Sequence, residues 1–187
     1  MKKRVINIGN LFLLMGLFLI SVPGYTQDKK LSRKERKELR KAEMEANYNV
    51  LNTLVGSMRF VLEADYLENK YGDKVPVSPL INFIMVNASD GVLQTGSNFR
   101  IGNNGVGGIT AEGTIGGFEF KKNDKSLSYN VSFNILTNLG AYDIHMTVYS
   151  DFRARATISG VTSGKLVYTG RLEPLSKSKV YKGQRTL

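Results

Sequence analysis

From Phe60 onward the chain alternates between two kinds of position. Phe60, Leu62, Ala64 and Tyr66 interleave with Val61, Glu63, Asp65 and Leu67, the period-two pattern of a strand with two distinct faces. Strand-like segments recur at 81–86, 92–95, 109–115, 118–122, 127–136, 142–149, 153–159 and 165–172, separated by short runs rich in Gly, Asn and Asp. Asp90-Gly91 reads as a hairpin turn. No helix-length stretch intervenes, so the spacing predicts antiparallel hairpins rather than parallel crossovers. Residues 109–122 read as one long strand bent at Gly116-Gly117. Two connections are longer: 71–79, broken by Gly72, Pro76 and Pro79, and the glycine-rich stretch 96–108.

Before the strands, residues 32–55 read as one helix. Ser32 followed by Glu35 is a capping box, and Gly56 is a natural residue just past a helix end. The first half is charged nearly all round and is expected to project into solvent. In the second half Ala46, Val50 and Leu54 recur at four-residue spacing, flanked by Leu51 and Val55, and predict the face that docks. The pattern as a whole predicts an α+β fold: an N-terminal helix packed on a curved antiparallel sheet of about eight strands, as a sandwich or a partly closed barrel.

The N-terminus has its own pattern. Lys2, Lys3 and Arg4 precede an apolar run densest from Leu11 to Ile20, and a small, polar stretch leads to a cut expected before Gln27. The apolar run is shorter than the ~20 residues of a spanning helix. Residues 1–26 are therefore read as a cleaved signal peptide, 27–43 as a basic helix start, 44–175 as one α+β domain and 176–187 as a basic tail. The protein is expected to be periplasmic or secreted, and not transmembrane after processing.

Composition narrows the chemistry. The chain has no cysteine, which excludes disulfides, thiolate metal sites, cysteine nucleophiles and a lipidated cysteine. The net charge of +10 is concentrated at the two ends. Lys29, Lys30, Arg33, Lys34, Arg36 and Lys37 are candidate contacts to an anionic lipid or lipopolysaccharide surface. The competing reading is a solvated helix and a soluble tail. Nucleic acid is not an expected partner, because the bases are not interleaved with aromatic side chains.

No motif carries a reaction. Gly102 to Gly108 lacks the lysine and the following helix that a phosphate-binding loop needs. His145 is the single histidine, with Asp143 two residues before it on the same strand face, and is read as a structural or surface residue. Glu63, Asp65, Glu112, Glu119, Asp143 and Asp151 could include a hydrolase pair only if two of them flank a cleft. No cofactor, metal or catalytic set is predicted. The candidate contact residues are those of the two long loops: Gly72 and Pro76 in one, Arg100, Asn103 and Asn104 in the other.

Several segments together carry a resemblance. They are Leu31 to Lys37, Met58 to Asp65, Gly107-Gly108-Ile109 with Glu112 to Ile115, Tyr142 to Val148, and Lys165 to Leu175. The chain resembles the domain-of-unknown-function 4251 family of exported Bacteroidetes proteins over nearly the whole of the expected mature chain to Leu175. The resemblance implies an envelope protein with an antiparallel β domain after a helix, and it supplies no active-site residues. The expected function is a non-enzymatic binding or interaction domain whose partner is an envelope protein or a small ligand. The alternatives are a carrier of a small apolar, lipid-like ligand and, more remotely, a carboxylate-based hydrolase.

Overall fold

In the computed structural model the described residues are 31–97, 107–160 and 164–186. The signal-peptide expectation falls on residues outside them. The chain divides into two units at Arg36 and Lys37, and the architecture below is that of the second, residues 37–187.

Helix α1 spans Arg33–Gly56. Its start is the predicted capping box: the Ser32 N–H donates to Glu35 Oε2 at 2.8 Å, and the Glu35 N–H donates to Ser32 Oγ at 3.2 Å. These bonds hold the Glu35 carboxyl below its usual range. From Lys37 to Ala46 every side chain is exposed.

The docked face overlaps the predicted one: Leu51, Leu54 and Val55 pack on the core, whereas Ala46 and Val50 do not. Tyr48, Leu51 and Val55 are buried, while Val50 is 56% exposed. The reason is aromatic. The Tyr48 ring lies 4.8 Å from the Tyr129 ring, its backbone oxygen accepts from the Tyr129 hydroxyl at 3.3 Å, and its hydroxyl donates to Asp124 Oδ1 at 2.8 Å. That anchor turns Val50 out of the contact, while Leu54 keeps its packing against the core. The helix end also shifts. Gly56 is its last residue, and the left-handed turn falls on Met58 (φ 51°), whose carbonyl accepts from the Ala88 N–H at 2.8 Å.

The strands are β1 (Arg59–Glu68), β2 (Lys74–Pro76), β3 (Phe83–Asn87), β4 (Asp90–Thr95), β5 (Ile109–Asn123), β6 (Ser128–Thr137), β7 (Gly140–Tyr149), β8 (Arg153–Ser159) and β9 (Lys165–Pro174). Strands β3 to β9 pair in sequence order, β1 pairs β3, and β1 also pairs β9 from Phe60↔Pro174 to Glu68↔Val167. The sheet is therefore a closed, up-and-down antiparallel barrel of eight strands, and β2 extends the β1 edge beyond the reach of β3. Closure removes the exposed edges that an open sheet of this length would present.

Two strand-level expectations meet different fates. The long strand over 109–122 is present, with its register shift between Gly116 and Glu119. Asp90-Gly91 is not the turn. The hairpin turns at Ala88-Ser89, with Ala88 at φ 54°, and Gly91 is already in β4. Its lack of a side chain serves packing, because a Cβ there would come within 3.0 Å of Ile115 and Ile135.

Alternation sorts the strand residues into an inside and an outside. Phe60, Leu62, Ile84, Ile135, Ile144 and Leu172 belong to the main core, to which α1 adds Tyr48, Leu51 and Val55. Tyr168 is fully buried there, and its hydroxyl donates to the Gln94 backbone oxygen at 2.9 Å. Val61, Phe83 and Val92 form a second, smaller cluster on the outer face, covered by Leu175 and Val180.

That cover corrects the expectation of a soluble tail. Residues 176–186 run back across the barrel as a strap. The Ser178 hydroxyl donates to Glu63 Oε1, the Tyr181 N–H to the Leu80 oxygen, the Gly183 N–H to Gln94 Oε1, and the Thr186 N–H to the Thr110 oxygen. Lys182 Nζ meets Glu112 Oε1 at 2.9 Å. The segment keeps its charge and still has a fixed path, because Leu175 and Val180 bury apolar surface and Gln94 supplies a polar anchor.

Candidate functional site

The sequence-predicted site residues do not form one constellation. Arg100, Asn103 and Asn104 lie outside the described residues, as do Lys29 and Lys30. Arg33, Lys34, Arg36 and Lys37 are exposed on the first turns of α1. Gly72 and Pro76 belong to a tight hairpin, which corrects the reading of 71–79 as a long loop. Asn69 organises it: its Oδ1 accepts from the Tyr71 and Asp73 N–H groups at 2.9 and 3.0 Å. Gly72 takes φ 91° at the tip, and Pro76 pairs with Tyr66 as an edge-strand residue. Here an Asx-type turn and a proline-ended edge do what the breakers suggested a loop would do.

The chemistry-bearing side chains of the sheet stand on its outer face. His145 is exposed, in a cross-strand row with Glu119, Ser132 and Thr157. The neighbouring row holds Lys121, Asn130, Thr147 and Arg155, and the Thr147 hydroxyl donates to Asn130 Oδ1 at 3.0 Å. Together these rows edge a polar depression of about 500 Å³. Several carboxylates are already engaged: Glu63 by Ser178, Glu112 by Lys182, and Asp151 by Arg153. Arg155 holds both oxygens of Glu68 at 3.0 and 3.1 Å, and this lowers the Glu68 carboxyl below its usual range. A lowered folded-state value contributes stability above the unfolded value, and that contribution is lost as pH falls through the folded one. Among the described residues no three of His, Cys, Asp and Glu gather as metal ligands would.

Among the described residues, a cup and a groove have an apolar character. The cup, of about 200 Å³, is at the end of the barrel away from α1, lined by Leu93, Ala111, Tyr142, Ile158 and Leu166. The groove is larger, about 680 Å³, between the C-terminal half of α1 and the end of β9. Val50 and Leu54 form one wall, Pro174 and Leu175 the other, with Phe152 between them. Arg59, Arg171 and Lys177 border it together with Glu173. Its walls are tied: the Leu175 N–H donates to the Arg59 oxygen at 3.1 Å, and the Lys177 N–H to the Pro174 oxygen at 2.9 Å.

The comparisons with known proteins bear on the fold that carries these cavities. Residues 42–172 match the family model described as a domain of unknown function, DUF4251. The chain belongs to the DUF4251 family. A solved DUF4251 family protein from Bacteroides eggerthii is 30% identical to it, over 71% of this chain and 91% of that one, with a TM-score of 0.60. No curated protein matches. The DUF4251 match ends at Leu172, so the groove wall at Pro174–Lys177 and the strap at 176–186 lie beyond it.

The groove escaped the sequence reading for a definite reason. Four-residue spacing assigns Val50 and Leu54 alike to the docked face. Leu54 does pack on the core, but the exposure of Val50 follows from the Tyr48 anchor, and only a tyrosine three residues before Leu51 hints at it.

Proposed function

We propose that this DUF4251 protein is an exported, non-enzymatic binding protein, and that its binding site is the groove between α1 and the end of β9. The observation that carries this reading is one concavity lined by Val50, which is 56% exposed, and by the half-buried side chains of Leu54, Phe152 and Leu175. Scattered apolar residues on a surface need no explanation, but a concave cluster of them marks a site for ligand. Its volume falls within the ~300–1,000 Å³ usual for small-molecule pockets, whereas the cup at the barrel end is below that range. The cup supports a second reading, the small apolar-ligand carrier, because its lining is apolar and Ala111 leaves room in it.

One experiment separates the two. A neutral, environment-sensitive hydrophobic dye is titrated into wild type, Val50→Asp and Ala111→Phe. Val50→Asp places a charge that ligand would have to desolvate, and it is expected to weaken dye binding at least about tenfold without changing stability, since Val50 is exposed. Loss of binding in Ala111→Phe alone would move the site to the cup. Unaltered binding in Val50→Asp would overturn the groove. Export has a separate test: the protein taken from its native envelope is expected to begin near Gln27, and retention of residues 1–26 would refute cleavage.

A further inference from the structure

The groove has a charge as well as an apolar floor. Arg59 and Lys177 are both exposed at its border, and among the described residues neither forms an ion pair. Arg171 has one acidic neighbour, Glu173, but at 3.7 Å the contact is an open ion pair rather than a hydrogen bond. Three cations therefore border the groove against one carboxylate, and two of those cations are uncommitted.

Uncommitted cations beside an uncovered apolar floor favour a particular ligand shape. A purely apolar molecule would leave Arg59 and Lys177 without use and would pay for crowding them. A cationic amphiphile would meet like charge. A free inorganic anion would leave Val50 and the uncovered parts of Leu54, Phe152 and Leu175 in water. An anionic head joined to a hydrocarbon chain satisfies both halves. The guanidinium of Arg59 can present two parallel N–H groups to a carboxylate or phosphate, and Lys177 adds a second positive charge. The backbone bonds that tie Arg59 to Leu175 and Pro174 to Lys177 fix the main chain from which these two cations and Leu175 extend.

Resting on the reading of this groove as the binding site, we propose that its occupant is a single-chain anionic amphiphile: a carboxylate or phosphate head at Arg59 and Lys177, and a hydrocarbon tail over Val50, Leu54, Phe152 and Leu175. Head and tail contribute separately. Lengthening the tail should tighten binding about three- to fourfold for each further methylene that the floor covers. Added salt should weaken the contribution of the head and leave that of the tail.

The test is calorimetric titration of the processed chain with decanoate, decyl phosphate, decanol and decyltrimethylammonium, each below its micelle concentration. The two anions are expected to bind at least about tenfold more tightly than decanol, and the cation most weakly. The comparison of decanoate with decyl phosphate distinguishes a fatty-acid source from a phospholipid-derived one. In the double variant Arg59→Gln, Lys177→Gln the preference for anions should vanish while decanol binding persists. Val50→Asp should weaken all four, and Thr53→Phe, which fills the groove from an exposed helix position, should do the same if the aspartate variant is unstable. Equal affinity for decanol and decanoate in wild type would overturn the anionic head and leave the groove standing. Binding unaltered by both Val50→Asp and Thr53→Phe, or no binding by any of the four, would overturn the groove and the amphiphile together.

Discussion

Replacing Gln94 by Leu is expected to destabilise the protein by about 3 kcal/mol and to release the strap at 176–186. Gln94 stands on the outer face of β4, where the strand alternation would put it in water, yet it is fully buried. All four of its hydrogen-bonding positions are used. Nε2 donates to the Ile81 oxygen at 3.1 Å and to the Tyr181 oxygen at 2.9 Å. Oε1 accepts from the Gly183 N–H at 2.8 Å and from the Thr110 hydroxyl at 3.0 Å. Leucine has a similar volume and none of these groups. Each partner left buried and unpaired would cost about 1–3 kcal/mol. The molecule avoids the full sum by letting the strap go, so that water reaches the orphaned groups. Detachment then uncovers Val61, Phe83 and Val92 and adds an apolar cost of its own. Urea denaturation measures the first effect. Hydrogen exchange at the Tyr181 and Gly183 amides, with limited proteolysis near Lys179, measures the second. A variant within 1 kcal/mol of wild type that still protects those amides would show that Leu175 and Val180, not Gln94, hold the strap.

Gln94 also shows where reading from the sequence stops. Alternation found the strands because it is local: each residue's face depends on its neighbours two positions away. It even found the bend in β5, where Gly116-Gly117 interrupts a run whose parity resumes afterwards. What it could not reach is whatever depends on a partner far along the chain. Gln94 sits between Leu93 and Thr95 with nothing in the local pattern to distinguish it from a solvent-facing polar residue, and its partners are up to 89 positions away. The same limit hid the helix face. Leu51 and Val55 lay beside the chosen stripe, but the decision between faces is made by Tyr48 with Tyr129 and Asp124, some eighty residues on. The candidate site inherits that error, since Val50 borders a groove only once Tyr48 has turned it outward. The predicted contact residues failed differently. Gly72 and Pro76 do interrupt the pattern, but Asn69 folds the interruption into a hairpin.

Local alternation does not distinguish a sandwich from a closed barrel, because β1 and β9 lie about a hundred residues apart, and one glycine at their seam makes the strongest test. Gly170→Val is expected to cost about 4 kcal/mol or to prevent folding. Gly170 is buried in β9, paired with Ala64 on β1 and with Ala154 on β8. A Cβ at this position would overlap the Glu63 carbonyl oxygen and come within 2.8 Å of the Ala64 Cα. Both obstacles are backbone. They lie where β1 shifts register between Ala64 and Tyr66, bringing that strand across the face of Gly170. Overpacking a core against movable side chains costs about 1–3 kcal/mol. Here no rotamer can yield, so β1 itself must move, and it is held on its other side by the pairing with β3 and by the Ala64 N–H bond to the Asn82 oxygen at 2.9 Å. Gly56→Ala is the opposite control. A Cβ there meets only the Phe120 ring edge at 3.7 Å, and alanine in a helix should be neutral or stabilising by up to about 1 kcal/mol. Urea midpoints of the two variants should therefore move in opposite directions or only one should move. If Gly170→Val folds with wild-type stability, β1 and β9 can part without loss. The pairing that closes the sheet would then contribute nothing measurable to holding the core together, and the helix and strap would have to supply that restraint instead.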